Sequence, residues 1–112
     1  MWKAYIQPVS VEETLVSLNR HRTDARIING GTDLVLELER NIRQPVVLID
    51  ISRVQGLGDI RHENGWIHIG ANGTHNQVAG SSMLRQYAYP LVRACWEVGA
   101  PQIRNRGTVA GN

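Results

Sequence analysis

The run PVVLIDI, residues 45–51, is the strongest strand in this 112-residue chain, and a shorter apolar, partly β-branched run, ARII, stands at 25–28. Between them TDLVLELER (32–40) carries the periodicity of a helix. This strand–helix–strand order across residues 25–51 constrains the fold most, because two strands joined through a helix pair in parallel. The helix is short, so the crossover sits near the lower size limit of such a unit. ARII fits a buried strand. Thr32 stands where an N-cap belongs, and Asp33 falls in the first turn, where negative charge complements the helix dipole. Upstream, Ser10 with Glu13 forms a capping-box pattern, and Val11, Leu15 and Leu18 recur at helical spacing. The spacing predicts an amphipathic helix over 11–21.

The style changes near SRVQGLG, which divides a first subdomain, 1–55, from a second, 56–112. LGDIRHENGWIHIGA holds two strands around Asn64-Gly65, a strong hairpin signal. Ile67 and Ile69 alternate with Trp66 and His68, which predicts one buried face. After Gly73, THNQVAG and SSMLRQYAYPLVRACWEVGAP are helix-like. Pro90 suits the first turn of the last helix, and Gly99 followed by Pro101 ends it. The order of elements gives an α+β fold.

A sequence pI near 9.1 is mildly basic, but acids and bases are interspersed. No basic stripe with interleaved aromatics points to nucleic acid. No apolar run approaches the length of a membrane span, and MWKAYIQP lacks the apolar stretch of a secretory signal. With Cys95 the single cysteine, no internal disulfide forms, and a reducing, cytoplasmic compartment is expected. Cys95 reads as a packed helix residue. His21, His62, His68 and His75 show no metal-ligand spacing; His62 and His68 could face each other across the hairpin, but read more simply as exposed strand residues.

Two stretches stripped of side-chain bulk remain, INGGTDL (28–34) and APQIRNRGTVAGN (100–112). Glycine inside a regular element costs about 1 kcal/mol relative to alanine, so a glycine pair marks a place where backbone shape outweighs local stability. Strand, glycine turn and helix start together suit phosphate, because glycines let successive N–H groups converge. The same arrangement also serves as a plain tight turn, and NGGT alone does not decide between them.

The pair INGGTDL and QIRNRGTVAGN resembles the FAD-binding subunit of the molybdenum hydroxylases, a family that includes xanthine dehydrogenases and the medium subunit of carbon monoxide dehydrogenase. VVLIDISRV, the hairpin and IGANGTHNQV follow in the family's order, so the resemblance covers the whole chain. It implies a PCMH-type FAD-binding fold, incomplete here: a small β-α-β subdomain, then the start of a second α+β FAD-binding subdomain. It further implies FAD as cofactor, with molybdopterin and two-iron two-sulfur clusters on a large and a small partner subunit. Electrons would pass through FAD to an acceptor such as NAD. Carried over position by position, Ile28, Asn29, Gly30, Gly31 and Thr32 would cradle the FAD diphosphate, with Asp33 and Leu34 completing the loop. Thr108, Val109, Ala110, Gly111 and Asn112 match the second FAD loop, and Val98 matches a position beside the cofactor. The resemblance implies no catalytic acid, base or nucleophile on this chain, and no metal ligand.

The chain departs from the family pattern in three places. Ala110-Gly111 replaces a glycine pair, and alanine costs about 1 kcal/mol or more if that position needs a positive φ. Asn29 stands where alanine is common. The chain is shorter than family members and reads as an N-terminal fragment, inactive by itself. A second reading stays open, in which it is a structural or docking module that binds partner subunits but not FAD. Arg104 and Arg106 read either as a solvated loop or as cations serving an anionic cofactor or acids on a neighbouring subunit.

Overall fold

In the computed structural model, which describes residues 1–112, the chain forms two compact units, Met1–Gly56 and Leu57–Asn112. The first is built on a three-stranded parallel sheet in the order β1-β3-β2, with β1 Ala4–Ile6, β2 Ala25–Ile28 and β3 Val47–Asp50. Helix α1 (Val11–His21) precedes β2 and helix α2 (Leu34–Glu39) links β2 to β3. β2 and β3 run parallel, as the strand–helix–strand order requires, with Ile28 opposite Asp50. β1 is not announced by the sequence. Three residues long, it occupies the other edge of β3 with Tyr5 opposite Leu48.

β3 is the centre of this unit, and all four of its residues are buried. A continuous apolar run is what a strand covered on both faces needs. β2 differs from expectation: as an edge strand it leaves Arg26 and Ile27 exposed. In α1, Ser10 Oγ accepts the Glu13 amide at 3.1 Å, and the Glu13 carboxylate accepts the Val9 amide at 3.0 Å, one residue before the usual capping-box position. The inward face of α1 is rotated from the expected stripe. Val11 and Leu15 are exposed, and the buried residue is Thr14. Its hydroxyl donates to the Ser10 carbonyl at 2.8 Å, which lets a polar side chain occupy a buried position.

Asp50, at the end of β3, is buried and gathers the polar groups of the unit. The Tyr5 hydroxyl and Gln7 Nε2 (3.0 Å) donate to its Oδ2, and the Ser52 amide donates to Oδ1 at 2.9 Å. Burial pushes the Asp50 carboxyl up, but the hydrogen bonds from Tyr5, Ser52 and Gln7 outweigh it and hold the carboxyl below its ordinary value. The same hydrogen bond, with burial and the neighbouring negative charge, pushes the Tyr5 phenol up to about 12. Both shifts favour a neutral phenol beside an ionised carboxylate. The stability from Asp50 is therefore present above the ordinary carboxyl pKa and is lost as pH falls through the lowered one. The stability from Tyr5 is present below its ordinary pKa of 10.0 and is lost as pH rises toward about 12. Asp50→Asn is expected to return the Tyr5 titration toward 10.0, read by NMR of isotope-labelled tyrosine. A Tyr5 titration unmoved by that substitution would show that the carboxylate is not its cause.

The second unit opens with a hairpin, β4 (Ile60–Glu63) and β5 (Trp66–Ile69). Glu63 pairs with Trp66, so Asn64 and Gly65 alone make the turn, with φ of 52° and 79°. Two positive φ values are the signature of the type I′ turn that matches strand twist. Ile60 pairs with Ile69 and His62 with Ile67, which puts all four on one face, and the three isoleucines pack on the core. His68 pairs with Arg61 and so lies on the opposite face from His62. The two histidines do not face each other; the His62 ring instead packs against Tyr87, centroids 4.9 Å apart.

Helices α3 (His75–Ala79), α4 (Ser82–Tyr87), α5 (Tyr89–Trp96) and α6 (Pro101–Arg106) follow. Val78, Ala79, Leu84, Val92 and Cys95 form the core. Burial pushes the Cys95 thiol up, away from the thiolate form a nucleophile needs. Gly99-Ala100-Pro101 does not close the last helix, as the sequence suggested. It separates two, because proline's missing N–H is harmless in a first turn and Pro101 opens α6. Arg104 and Arg106 are thus helical, not in a loop. No helix is long and apolar enough to cross a membrane.

Candidate functional site: two glycine loops

The first loop leaves β2 at Ile28, whose carbonyl accepts the Ile51 amide at 3.0 Å. Gly31 then takes φ 74°, the left-handed region that residues with a Cβ avoid. A Cβ there would lie 3.2 Å from Val35 Cγ2 and 3.4 Å from Ile28 Cδ1, so glycine meets a limit of space as well. The early turn displaces the helix start. Thr32 and Asp33 form a turn, α2 begins at Leu34 after Asp33, and neither side chain caps it. Thr32 is therefore not the N-cap. The first helical bond runs from the Val35 amide to the Gly31 carbonyl, 3.0 Å.

The amides of Gly30, Gly31, Thr32 and Asp33 make no backbone–backbone hydrogen bond, yet residues 28–32 are half-buried. Backbone amides without a protein partner are satisfied by water or by a ligand. An anion does so, and bare glycine backbone lets it approach. α2 has six residues, so its dipole adds little and the loop amides themselves carry the attraction. Asp33 is exposed, and its carboxylate makes no cap bond to the helix.

The second loop is built differently. Ala110 does not adopt a positive φ, so alanine sits there without the strain its replacement of glycine threatened. Gly111 answers to space: a Cβ would lie 2.8 Å from Thr108 Oγ1. Thr108 is buried and bridges Thr74, flanked by bonds from the His75 amide to the Gly107 carbonyl and from the Val109 amide to the Gly73 carbonyl, each 3.1 Å. The Gly111 amide donates to Thr108 Oγ1 at 3.1 Å and the Asn112 amide to the Val109 carbonyl at 3.4 Å. Most amides of this loop are thus committed internally. The loop therefore has a fixed shape, and the buried Thr108 hydroxyl accepts from Gly111 and keeps its own proton to donate.

Gly73, Thr74 and His75, which the second loop leans on, were not singled out from the sequence. A signal existed: Thr74 with Gln77 forms a capping box, the Thr74 amide donating to Gln77 Oε1 at 2.9 Å and the Gln77 amide to Thr74 Oγ1 at 3.2 Å. Val98 lies in the α5–α6 link. Its carbonyl and that of Gly99 accept from Arg104 Nη1 at 3.1 and 3.2 Å, and the Arg104 guanidinium lies 5.2 Å from the centre of the Trp96 ring. Arg104 thereby fixes the link that carries Val98. No group of three or more His, Cys, Asp or Glu side chains is gathered as a metal ion would require.

Comparison with known proteins bears on this geometry. A family model described as the FAD binding domain in molybdopterin dehydrogenase matches residues 2–112. The nicotinate dehydrogenase FAD-subunit of Eubacterium barkeri is 39% identical over 109 residues, covering 96% of this chain and 37% of that protein. Subunit alpha of the 6-hydroxypseudooxynicotine dehydrogenase complex of Paenarthrobacter nicotinovorans is 40% identical over 108 residues, covering 96% of this chain and 36% of that protein. Among solved structures, a carbon monoxide dehydrogenase from Hydrogenophaga pseudoflava that lacks the Mo-pyranopterin moiety of its cofactor superposes with a TM-score of 0.95 at 33% identity. That match covers 99% of this chain and 39% of the solved chain. The chain thus spans little more than a third of the relatives it matches.

Proposed function

The chain belongs to the family of FAD binding domains in molybdopterin dehydrogenases, and on that premise we propose that its glycine loops bind FAD. The observation that carries the proposal is the first loop, where unpartnered amides are gathered around a left-handed Gly31. In this reading the amides of Gly30, Gly31 and Thr32 donate to the diphosphate, with the Thr32 hydroxyl beside them. Ile28, Asn29, Asp33 and Leu34 set the shape of that loop. Thr108 donates its hydroxyl proton from the second loop, where Val109, Ala110, Gly111 and Asn112 supply a surface without bulk. Val98 packs beside the cofactor. FAD, when bound, supplies the redox chemistry, and the protein supplies binding and orientation.

Residues 1–55 then form the first FAD-binding subdomain and 56–112 the beginning of the second. The complete protein serves as an oxidoreductase subunit, beside a molybdopterin-binding large subunit and an iron–sulfur small subunit. It passes electrons to NAD or another acceptor. The relatives named as dehydrogenase subunits support this role. The test is the absorbance spectrum of the full-length protein purified with its partners. Bound flavin, about one per chain and released as FAD on denaturation, is expected. Colourless protein that takes up no added FAD would overturn the proposal.

A further inference from the structure

Helix α5 leaves an apolar and cationic face uncovered. Tyr89, Val92, Arg93 and Trp96 recur at i, i+3, i+4 and i+7 and so share one side of the helix. With Ala79 of α3 and Arg85 of α4 they line an open cleft of about 330 Å³. Ala79 and Val92 are buried and form its floor, whereas Tyr89 and Trp96 are 54% and 57% exposed. The Trp96 indole is braced by the Arg104 guanidinium, a cation–π contact that keeps a large apolar ring in place at the surface. Arg85 makes no ion pair, and Arg93 pairs with Glu97 at 2.8 Å. Two guanidiniums, Arg85 and Arg93, therefore line this cleft, and the one carboxylate paired with them is Glu97 on Arg93, which leaves Arg85 uncompensated.

Trp, Tyr and Arg are the side chains most enriched at the energetic centres of protein interfaces. Arginine matches a carboxylate with two parallel hydrogen bonds, and the excess positive charge selects an acidic counterpart. The volume lies at the small end of ligand pockets, which run from roughly 300 to 1,000 Å³, and the cleft lies open, so a protruding side chain suits it better than an enclosed cofactor. We propose that the α5 cleft docks an acidic segment of a partner protein. An apolar side chain of that segment rests on Val92 between Tyr89 and Trp96, and its carboxylates meet Arg85 and Arg93. The inference rests on the reading of the chain as part of a multisubunit assembly, and it is independent of how FAD is held.

The experiment uses the full-length protein assembled with its partner subunits, with photoreactive benzoylphenylalanine in place of Tyr89. Illumination is expected to give an adduct with an acidic segment of another subunit, mapped by mass spectrometry. Arg85→Glu is expected to lower the adduct yield about tenfold, and Arg85→Lys to retain most of it. Arg85 is exposed and unpaired, so the melting temperature of Arg85→Glu should match that of the parent. Arg20→Glu, an exposed charge reversal on α1, should leave the yield unchanged. No adduct, an adduct confined to this chain or a second copy of it, displacement by ADP or NAD, or a yield insensitive to Arg85→Glu would each overturn the proposal. Flavin content measured on the same samples separates the two readings: a failed adduct with flavin retained removes the docking site and leaves the FAD site standing.

Discussion

Alanine at position 70 is expected to destabilise the second unit by about 3 kcal/mol or more, the upper end of the usual cost of overpacking. A Cβ on Gly70 would lie 2.1 Å from the Leu57 carbonyl oxygen and 2.5 Å from its carbon. Both atoms are backbone, so no side chain can swing away to make room. The Leu57 carbonyl is itself held by the Asn72 amide at 2.8 Å, and Gly70 is held by bonds to Asp59 (2.8 Å) and from Gly73 (2.9 Å). Relief therefore requires displacing the turn that leads to Gly73, on which the second loop rests. Gly58 is the internal control: a Cβ there meets nothing within 4 Å and its φ is not positive, so Gly58→Ala should be neutral or slightly stabilising. Chemical denaturation of the full-length protein decides the matter. Equal midpoints for the two variants would refute the steric account.

Valine at position 31 is expected to lower flavin content to about a tenth or less while leaving the fold of the first unit standing, since left-handed backbone costs roughly 1–2 kcal/mol for a residue with a Cβ. A β-branched side chain is worse placed there than alanine. Its branches would also meet Val35 and Ile28, already 3.2 and 3.4 Å from the Cβ position. The loop must then change shape around Gly31, and the amides of Gly30 and Thr32 move with it. The core of the unit, Val47, Leu48 and Ile49 on β3, is untouched, so circular dichroism should change little. Gly31→Val protein with full flavin occupancy would show that the first loop is only a turn.

What the sequence made legible follows the strength of local signals. PVVLIDI is apolar enough to be central, and Asn64-Gly65 encodes a turn that few other pairs adopt, so β3 and the hairpin could be read directly. β1 was silent because three residues with Tyr5 in the middle carry no period, and its place is set by pairing with β3. The inward face of α1 is not legible in the sequence because apolar spacing favours Leu15, whereas a hydrogen-bonded Thr14 is what packs inside. α6 is hidden in the sequence because Gly99 and Pro101 signal a stop, and the same proline is also a start. At the candidate site, the resemblance named both loops as equals. Their hydrogen bonds make them unequal, the first with amides left open and the second with most of its amides committed, a difference that depends on Gly73 and His75 more than thirty positions upstream.

That inequality gives the most direct test. Amide hydrogen exchange would be followed in the full-length protein, first stripped of flavin and then supplied with FAD. Residues 30–33 are expected to exchange rapidly when flavin-free, having no backbone partner, and to become strongly protected once FAD is added. Residues 109–112 should start slower and gain less. Exchange at 29–34 that FAD leaves unchanged would contradict the assignment of this loop to the cofactor.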